Sequence, residues 1–296
     1  MRYDTISFLS DYGLADEFVG VAKSVIRQIA PAVSVIDVTH DLAPHDVRGG
    51  ALALARSAQY LCPGLVLAVV DPGVGTDRRP VAVEVGDGMS ILVGPDNGLL
   101  APAVAMVGGA DRAVVLDRPD YHLPGPGATF DGRDIFAPVA AHLCAGVALT
   151  DLGTEIPVAG LQPGVLPISR REGDALEAEI LWIDRFGNAQ LNVDPDDLEA
   201  FGARLTLTVG DRTQAAGRVG SFAEIGVGRI GLIIDSYGLL AIAANQMSAA
   251  AELDLAPGDQ VTIRTIDDAE NPDSGTRSVP VAMSPRSGSP RSGGER

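Results

Sequence analysis

Lysine is almost missing from this 296-residue chain, with Lys23 the only one. A Walker-type phosphate loop, built around its lysine, is therefore excluded, and lysine Schiff-base chemistry has a single candidate. Cysteine is nearly as scarce. Cys62 and Cys144 stand far apart with no His or Cys at ligand spacing, so neither a disulfide framework nor a zinc site is indicated; both read as buried, reduced core residues. Positive charge is in deficit, with 22 Lys and Arg against 39 Asp and Glu and a formal charge of -17. Nucleic-acid affinity depends largely on cations that release counterions, so the balance argues against a nucleic-acid partner and for a cationic guest. Long apolar runs are absent as well. No uninterrupted stretch approaches the roughly 20 residues of a membrane helix, and Met1-Arg2-Tyr3-Asp4 lacks the apolar segment of a signal peptide. The expected setting is the cytoplasm, with no membrane partner.

What is present is a hydrophobic content of 46% spread over more residues than one compact domain usually holds. The expected organisation is an α/β domain over 1–165, a smaller antiparallel β-barrel domain over 174–268 and a disordered tail over 269–296. The connection between the domains is the Pro/Gly-rich stretch ending in Arg170-Arg171-Glu172. In the first part, Ile6–Leu9 reads as a strand, Asp16–Ile29 as a helix with an apolar stripe at Phe18, Val21, Ala22, Val25 and Ile29, Val33–Thr39 as a strand and Gly49–Leu61 as a helix. Val81–Val85 and Ser90–Gly94 read as a hairpin, making the sheet mixed. A helix from about Leu99, a strand at Ala113–Leu116 and a helix over Ile135–Ala145 follow. Beyond the connection, Ala178–Ile183, Leu205–Val209, Ile230–Ile234 and Gln260–Arg264 are short strands between Gly/Asp turns. The tail repeats Ser, Pro, Arg and Gly and cannot repay the entropy of ordering.

The chemistry-bearing stretch is Val69-Val70-Asp71-Pro72-Gly73-Val74-Gly75-Thr76-Asp77-Arg78-Arg79. Leu65–Val70 is continuously apolar, as a strand buried on both faces would be, and ligands of parallel sheets gather beyond the strands' carboxyl ends. Asp71 is then either a strand-end functional carboxylate with Arg78 folded back over it or half of an ordinary turn pair. Asp11 in Ser10-Asp11-Tyr12-Gly13 is likewise a functional acid or a turn residue. Asp16 and Glu17 read as first-turn acids. His40 and His45 fit no metal-ligand spacing and read as loop and capping residues. Asp134 reads as a helix cap and Asp131 stays open.

Taken together, Ser10–Gly13, Asp37–Val47, Asp71–Arg79, Gly94–Gly98, Thr129–Pro138, Asp184-Arg185-Phe186-Gly187-Asn188 and Ser236–Asn245 resemble the adenosine-forming S-adenosylmethionine hydrolases. These are also called S-adenosylmethionine hydroxide adenosyltransferases and are relatives of the fluorinase and chlorinase. The resemblance runs through both expected domains. It implies a homotrimer whose substrate lies between the N-terminal domain of one subunit and the C-terminal domain of the next. The implied reaction is attack of water or hydroxide on the adenosyl C5′, releasing L-methionine and adenosine without metal or organic cofactor.

By the same resemblance Asp71 orients the water and takes its proton, with Arg78 holding the carboxylate. Asp11 grips the ribose hydroxyls, Asp184 meets the methionine ammonium and Asn188 the adenine edge. Phe130 and Phe186 supply apolar walls, and Ser236 binds the methionine carboxylate. Two residues depart from the pattern. Asp131 stands where the hydrolases carry His in an Asp–Arg–His set, and Tyr237 stands where the halogenases carry Arg. The halogenases have Tyr in place of Asp71, and a carboxylate repels a halide, so the pair Asp71–Arg78 favours water. Two readings compete: a binding protein for S-adenosylmethionine or adenosine that no longer turns over, and a methyltransferase resting only on Gly73-Val74-Gly75.

Overall fold

The computed structural model describes residues 3–266. The expected tail, and the last two residues assigned to the second domain, lie outside the described residues. No helix among them is long and apolar enough to cross a membrane.

The chain begins with β1 (Thr5–Ser10), α1 (Phe18–Ile29), β2 (Ser34–Thr39), α2 (Val47–Ala58) and β3 (Leu65–Val69). It continues with β4 (Pro80–Val85), β5 (Ser90–Pro95), α3 (Ala101–Met106), β6 (Arg112–Val115), α4 (Ala137–Ala145) and β7 (Thr154–Ile156). These seven strands form one mixed sheet in the order β2-β1-β3-β5-β4-β6-β7, parallel from β2 to β5 and antiparallel beyond. The β3 run is apolar throughout because it is covered on both sides. Leu65, Leu67 and Val69 join a core with α1 and α4, while Val66, Ala68 and Val70 join another with α2 and α3.

Because the chain turns from β1 to β2 on one side and then to β3 on the other, a topological switch point opens between β1 and β3. Their register pairs Ser10 with Val69. That pairing brings Asp11, one residue past β1, and Asp71, two residues past β3, to the same carboxyl edge.

The second half contains β8 (Arg170–Glu172), β9 (Ala175–Ile183), β10 (Ala189–Leu191), β11 (Arg204–Val209), β12 (Arg212–Arg218), β13 (Ile230–Ile234), β14 (Leu240–Ala244), α5 (Ala249–Leu253) and β15 (Gln260–Thr265). A second sheet runs β10-β14-β13-β12-β11-β15-β9-β8, and the pairing of β10 with β9 closes seven of its strands into a barrel. Its neighbours are antiparallel except β12 and β13. The interior is filled by Leu, Ile, Val and Ala from alternate positions, including Ile180, Leu191, Leu207, Ile242 and Ile263. Arg48 of α2 pairs with Glu179 of β9, and the Arg56 guanidinium lies 4.2 Å above the Trp182 ring, so α2 rests against the barrel.

Several local expectations are corrected. The helix α1 starts at Phe18, so Asp16 and Glu17 precede its first turn, and it buries Val19, Ala22, Val25 and Ile26. Phe18 is 38% exposed because it leaves the core face to meet Tyr12 and Phe130. α2 opens with Asp46, whose carboxylate accepts the Gly49 N–H at 2.8 Å. Arg170–Glu172 is not plain connection but an edge strand on β9. Cys62 is exposed, since it sits in the loop after α2; Cys144 is buried in α4. Asp134 does not cap a helix. It pairs with the neighbouring Arg133 at 2.6 and 2.8 Å, and a turn of wider, π-type helix (Gly132–Phe136) leads into α4 instead.

Candidate active site

Asp71 follows the last buried residues of β3, and the turn Pro72–Asp77 brings the chain back so that Arg78 faces it. Gly75 has φ +77°, and a Cβ there would press on the Ala128 carbonyl, so this turn requires glycine. The Arg78 fork grips Asp71 with both arms: Nε donates to Oδ1 at 3.0 Å and Nη2 donates to Oδ2. The same Nη2 donates to Asp131 Oδ2 at 2.7 Å. All three side chains are at most 15% exposed, so this is a desolvated carboxylate–guanidinium–carboxylate unit, not a surface turn pair. The guanidinium also stands 5.4 Å from the Phe136 ring centre.

Burial pushes the Asp71 carboxyl above its ordinary value; Arg78 works in the opposite direction, Asp131 adds to the rise and the Gly73 N–H partly offsets it. Two acids on one guanidinium share less than one compensating charge each. Asp71 therefore keeps more affinity for a proton than a salt-bridged acid normally would, which suits a base that must accept one.

Around this unit is a cavity of about 220 Å³ lined by Asp11, Tyr12, Phe18, Pro44, His45, Val69, Asp71, Val74, Thr129, Phe130, Asp131 and Gly132. Asp11 Oδ2 accepts the His45 N–H at 2.8 Å, which leaves Oδ1 free to accept from a ligand. His45 supplies that N–H from a left-handed conformation, φ 68°. Beneath Asp11, Ser10 Oγ meets His40 Nδ1 at 2.7 Å, His40 Nε2 meets Asp37 at 3.0 Å and Asp37 takes Lys23 at 2.6 Å. His40 is thus a buried strut below the β1 end, beyond the loop role expected of it. Phe130 stands edge-on to Tyr12 and Phe18, with ring centres 5.7 and 5.2 Å away, and forms the apolar wall.

The other expected residues lie together on the barrel. Asp184, Phe186, Asn188, Ser236 and Tyr237 line an open groove of about 1080 Å³ with Trp182, Gln190, Asp235 and residues 244–248. Asp184 organises its own loop: Oδ1 accepts from Phe186 N and Asn188 N at 2.8 and 2.9 Å, and Oδ2 from Asn188 Nδ2 at 2.8 Å. Of its four lone-pair positions, one stays open to a ligand cation. Asp235 does the same for the second loop, accepting from Tyr237 N and Leu239 N at 2.8 and 3.1 Å. Phe186 is 76% exposed and shares the groove with Ile234 at 55% and Phe222 at 48%, so several exposed apolar side chains line it together.

Within one chain the two halves do not merge. The N-terminal cavity is lined only by residues 11–132 and the barrel groove only by residues 182–248. The sequence reading missed Tyr12, His45 and Asp235. For Asp235 a signal was available, because Asp-Ser-Tyr-Gly is the pattern of a side chain bonding its own turn.

Comparison with known proteins agrees with this layout. Residues 6–153 match the SAM hydroxide adenosyltransferase N-terminal domain and residues 178–262 match the C-terminal domain of the same family. An (R)-S-adenosyl-L-methionine hydrolase of Salinispora tropica is 45% identical, covering 87% of this chain and 97% of that protein. One from Thermus thermophilus is 43% identical, covering 86% and 96%. A fluorinase of an Actinoplanes species is 30% identical, covering 87% and 96%. Among solved structures, an uncharacterized conserved protein of Thermotoga maritima superposes with a TM-score of 0.81 at 32% identity, covering 88% of this chain and 99% of that one. With both domains matched in order and relatives aligned over nearly their whole length, the chain belongs to the SAM hydroxide adenosyltransferase family.

Proposed function

We propose that the protein hydrolyses S-adenosyl-L-methionine to adenosine and L-methionine, by attack of water or hydroxide on the adenosyl C5′. The observation that carries this reading is the buried fork from Arg78 to Asp71 at the switch point of the sheet. A sulfonium departs as a neutral thioether, so the reaction requires no acid for the leaving group and no cofactor or metal to polarise it. What it requires is a positioned water and a base. Asp71 orients the water and accepts its proton; Arg78 holds the carboxylate so that only a rotation-free acceptor faces the cavity. Asp131 shares Arg78 and raises the proton affinity of Asp71 in the place the family's His occupies. A halide is the poorer nucleophile here, because an ionised Asp71 repels an anion at short range.

Asp11, with Oδ1 uncommitted, binds the ribose hydroxyls, and Phe130 covers the sugar. Asp184, Phe186, Asn188, Ser236 and Tyr237 hold the methionine and adenine portions. Since cavity and groove remain separate within one chain, we assign the groove to a neighbouring subunit of a homotrimer, with each site completed across an interface. A cytoplasmic location fits a substrate made and used inside cells.

The test is Asp71→Asn, which keeps the size and can keep one of the two bonds from Arg78 but removes the base. Adenosine formation should fall by roughly 10²- to 10⁴-fold, with S-adenosylmethionine binding retained in calorimetry. A variant with near-normal turnover would remove Asp71 from the mechanism.

A further inference from the structure

Tyr12 has a hydroxyl that the fold leaves without work. Its ring is fully explained by packing, with Phe8, Phe18 and Phe130 at centroid distances of 6.5, 5.9 and 5.7 Å. A phenylalanine would serve that packing equally well. The hydroxyl, by contrast, has no hydrogen-bond partner among the described residues, although Tyr12 lines the cavity with Asp11, Asp71 and Asp131. The chain even makes space for it: a Cβ on Gly132 would overlap Tyr12 Oη, so only glycine at 132 tolerates the phenol where it stands. An unpaired polar atom at a cavity wall among three acceptor-only carboxylates is a donor awaiting a ligand.

We propose that Tyr12 is a further catalytic residue, whose phenol O–H donates to the attacking water. This rests on the hydrolytic reading above. A water that donates one proton toward Asp71 keeps two lone pairs. One must point at C5′, and a donor on the other fixes the orientation that Asp71 alone leaves free to swing. In the reaction the water oxygen forms its bond to C5′, the C5′–S bond breaks with its electron pair going to sulfur, and the proton passes to Asp71. Negative charge develops on the water oxygen as that proton leaves, and a fixed O–H stabilises it there. Tyr12 keeps its own proton throughout. Burial pushes the phenol well above its ordinary value, the carboxylates of Asp11, Asp71 and Asp131 push it further and Arg78 offsets them only in part, so the donor form is the one present.

The experiment uses the full chain and Tyr12→Phe, with S-adenosylmethionine as substrate. The expected result is a kcat lowered roughly 10- to 100-fold, with KM changed by less than about twofold and the thermal midpoint unchanged, since every ring contact remains. Gly132→Ala, which crowds the hydroxyl, should lower kcat in the same direction. A Tyr12→Phe enzyme with wild-type kcat, or one whose loss lies wholly in KM or in thermal stability, overturns the proposal. The wild-type enzyme assayed beside it separates the two levels. If it releases no adenosine, the hydrolytic reading fails and the Tyr12 role fails with it; if it does and Tyr12→Phe equals it, only the Tyr12 role fails.

Discussion

Replacing Arg78 by Met tests whether the unit at the switch point is held together by charge. Met fills similar volume and keeps an apolar contact for Phe136, but it removes two bonds to Asp71 and one to Asp131. Both acids then remain desolvated, with side-chain exposures of 6% and 15% and no cation between them. Removing one partner of a buried pair costs about 3–5 kcal/mol, a large part of the 5–15 kcal/mol that usually separates folded from unfolded chains. The pH dependence follows from the direction of the Asp71 shift. Burial already raises its folded-state value, and Arg78 is the main opposing influence, so the variant raises it further. A carboxylate with a raised folded value favours the fold while protonated and loses that contribution as pH rises through the folded value. Urea unfolding of the two proteins should therefore show the widest gap at about pH 8 and a narrower one near pH 5. A gap under about 1 kcal/mol, or one that widens toward acid, would refute the charge account.

Two further outcomes are expected from the same geometry. Asp131→Asn removes a carboxylate that raises Asp71, so the acidic limb of the kcat profile should move to lower pH; a limb that stays in place would show that the two acids do not communicate. Mixing Asp71→Asn subunits with Asn188→Ala subunits, each inactive alone, should restore adenosine formation, because some mixed oligomers pair an intact cavity with an intact groove. Mixed oligomers that form but stay inactive would place both halves in one chain.

The parts of the fold legible from sequence were those fixed by local pattern. The run Leu65–Val70 has no polar position because helices cover both sides of β3, and its reading as a doubly buried strand needed nothing more. The strand β12, Arg-Thr-Gln-Ala-Ala-Gly-Arg, was not legible, because six of its seven residues remain at least partly exposed and only Ala216 is buried. The three-residue strands β7, β8 and β10 are too short to show a period. At the site, Asp71 and Arg78 were visible as a sequence-local pair. That Arg78 also holds Asp131, 53 positions away, is a product of folding. Likewise Tyr12 looked like part of a turn, because nothing in Ser-Asp-Tyr-Gly tells that its hydroxyl ends against Gly132. Asp134 was misread because Arg133, adjacent in sequence, competes for the carboxylate that would otherwise cap the helix.

The central claim is that Asp71 and Arg78 deliver a water to C5′. Its most direct test is incubation of the enzyme with S-adenosylmethionine in oxygen-labelled water containing halide, followed by mass analysis of the products. The expected result is L-methionine together with adenosine carrying the label in its 5′ hydroxyl, and no 5′-halogenated nucleoside. Adenosine without label, a halogenated product or S-adenosylhomocysteine in its place would contradict the account.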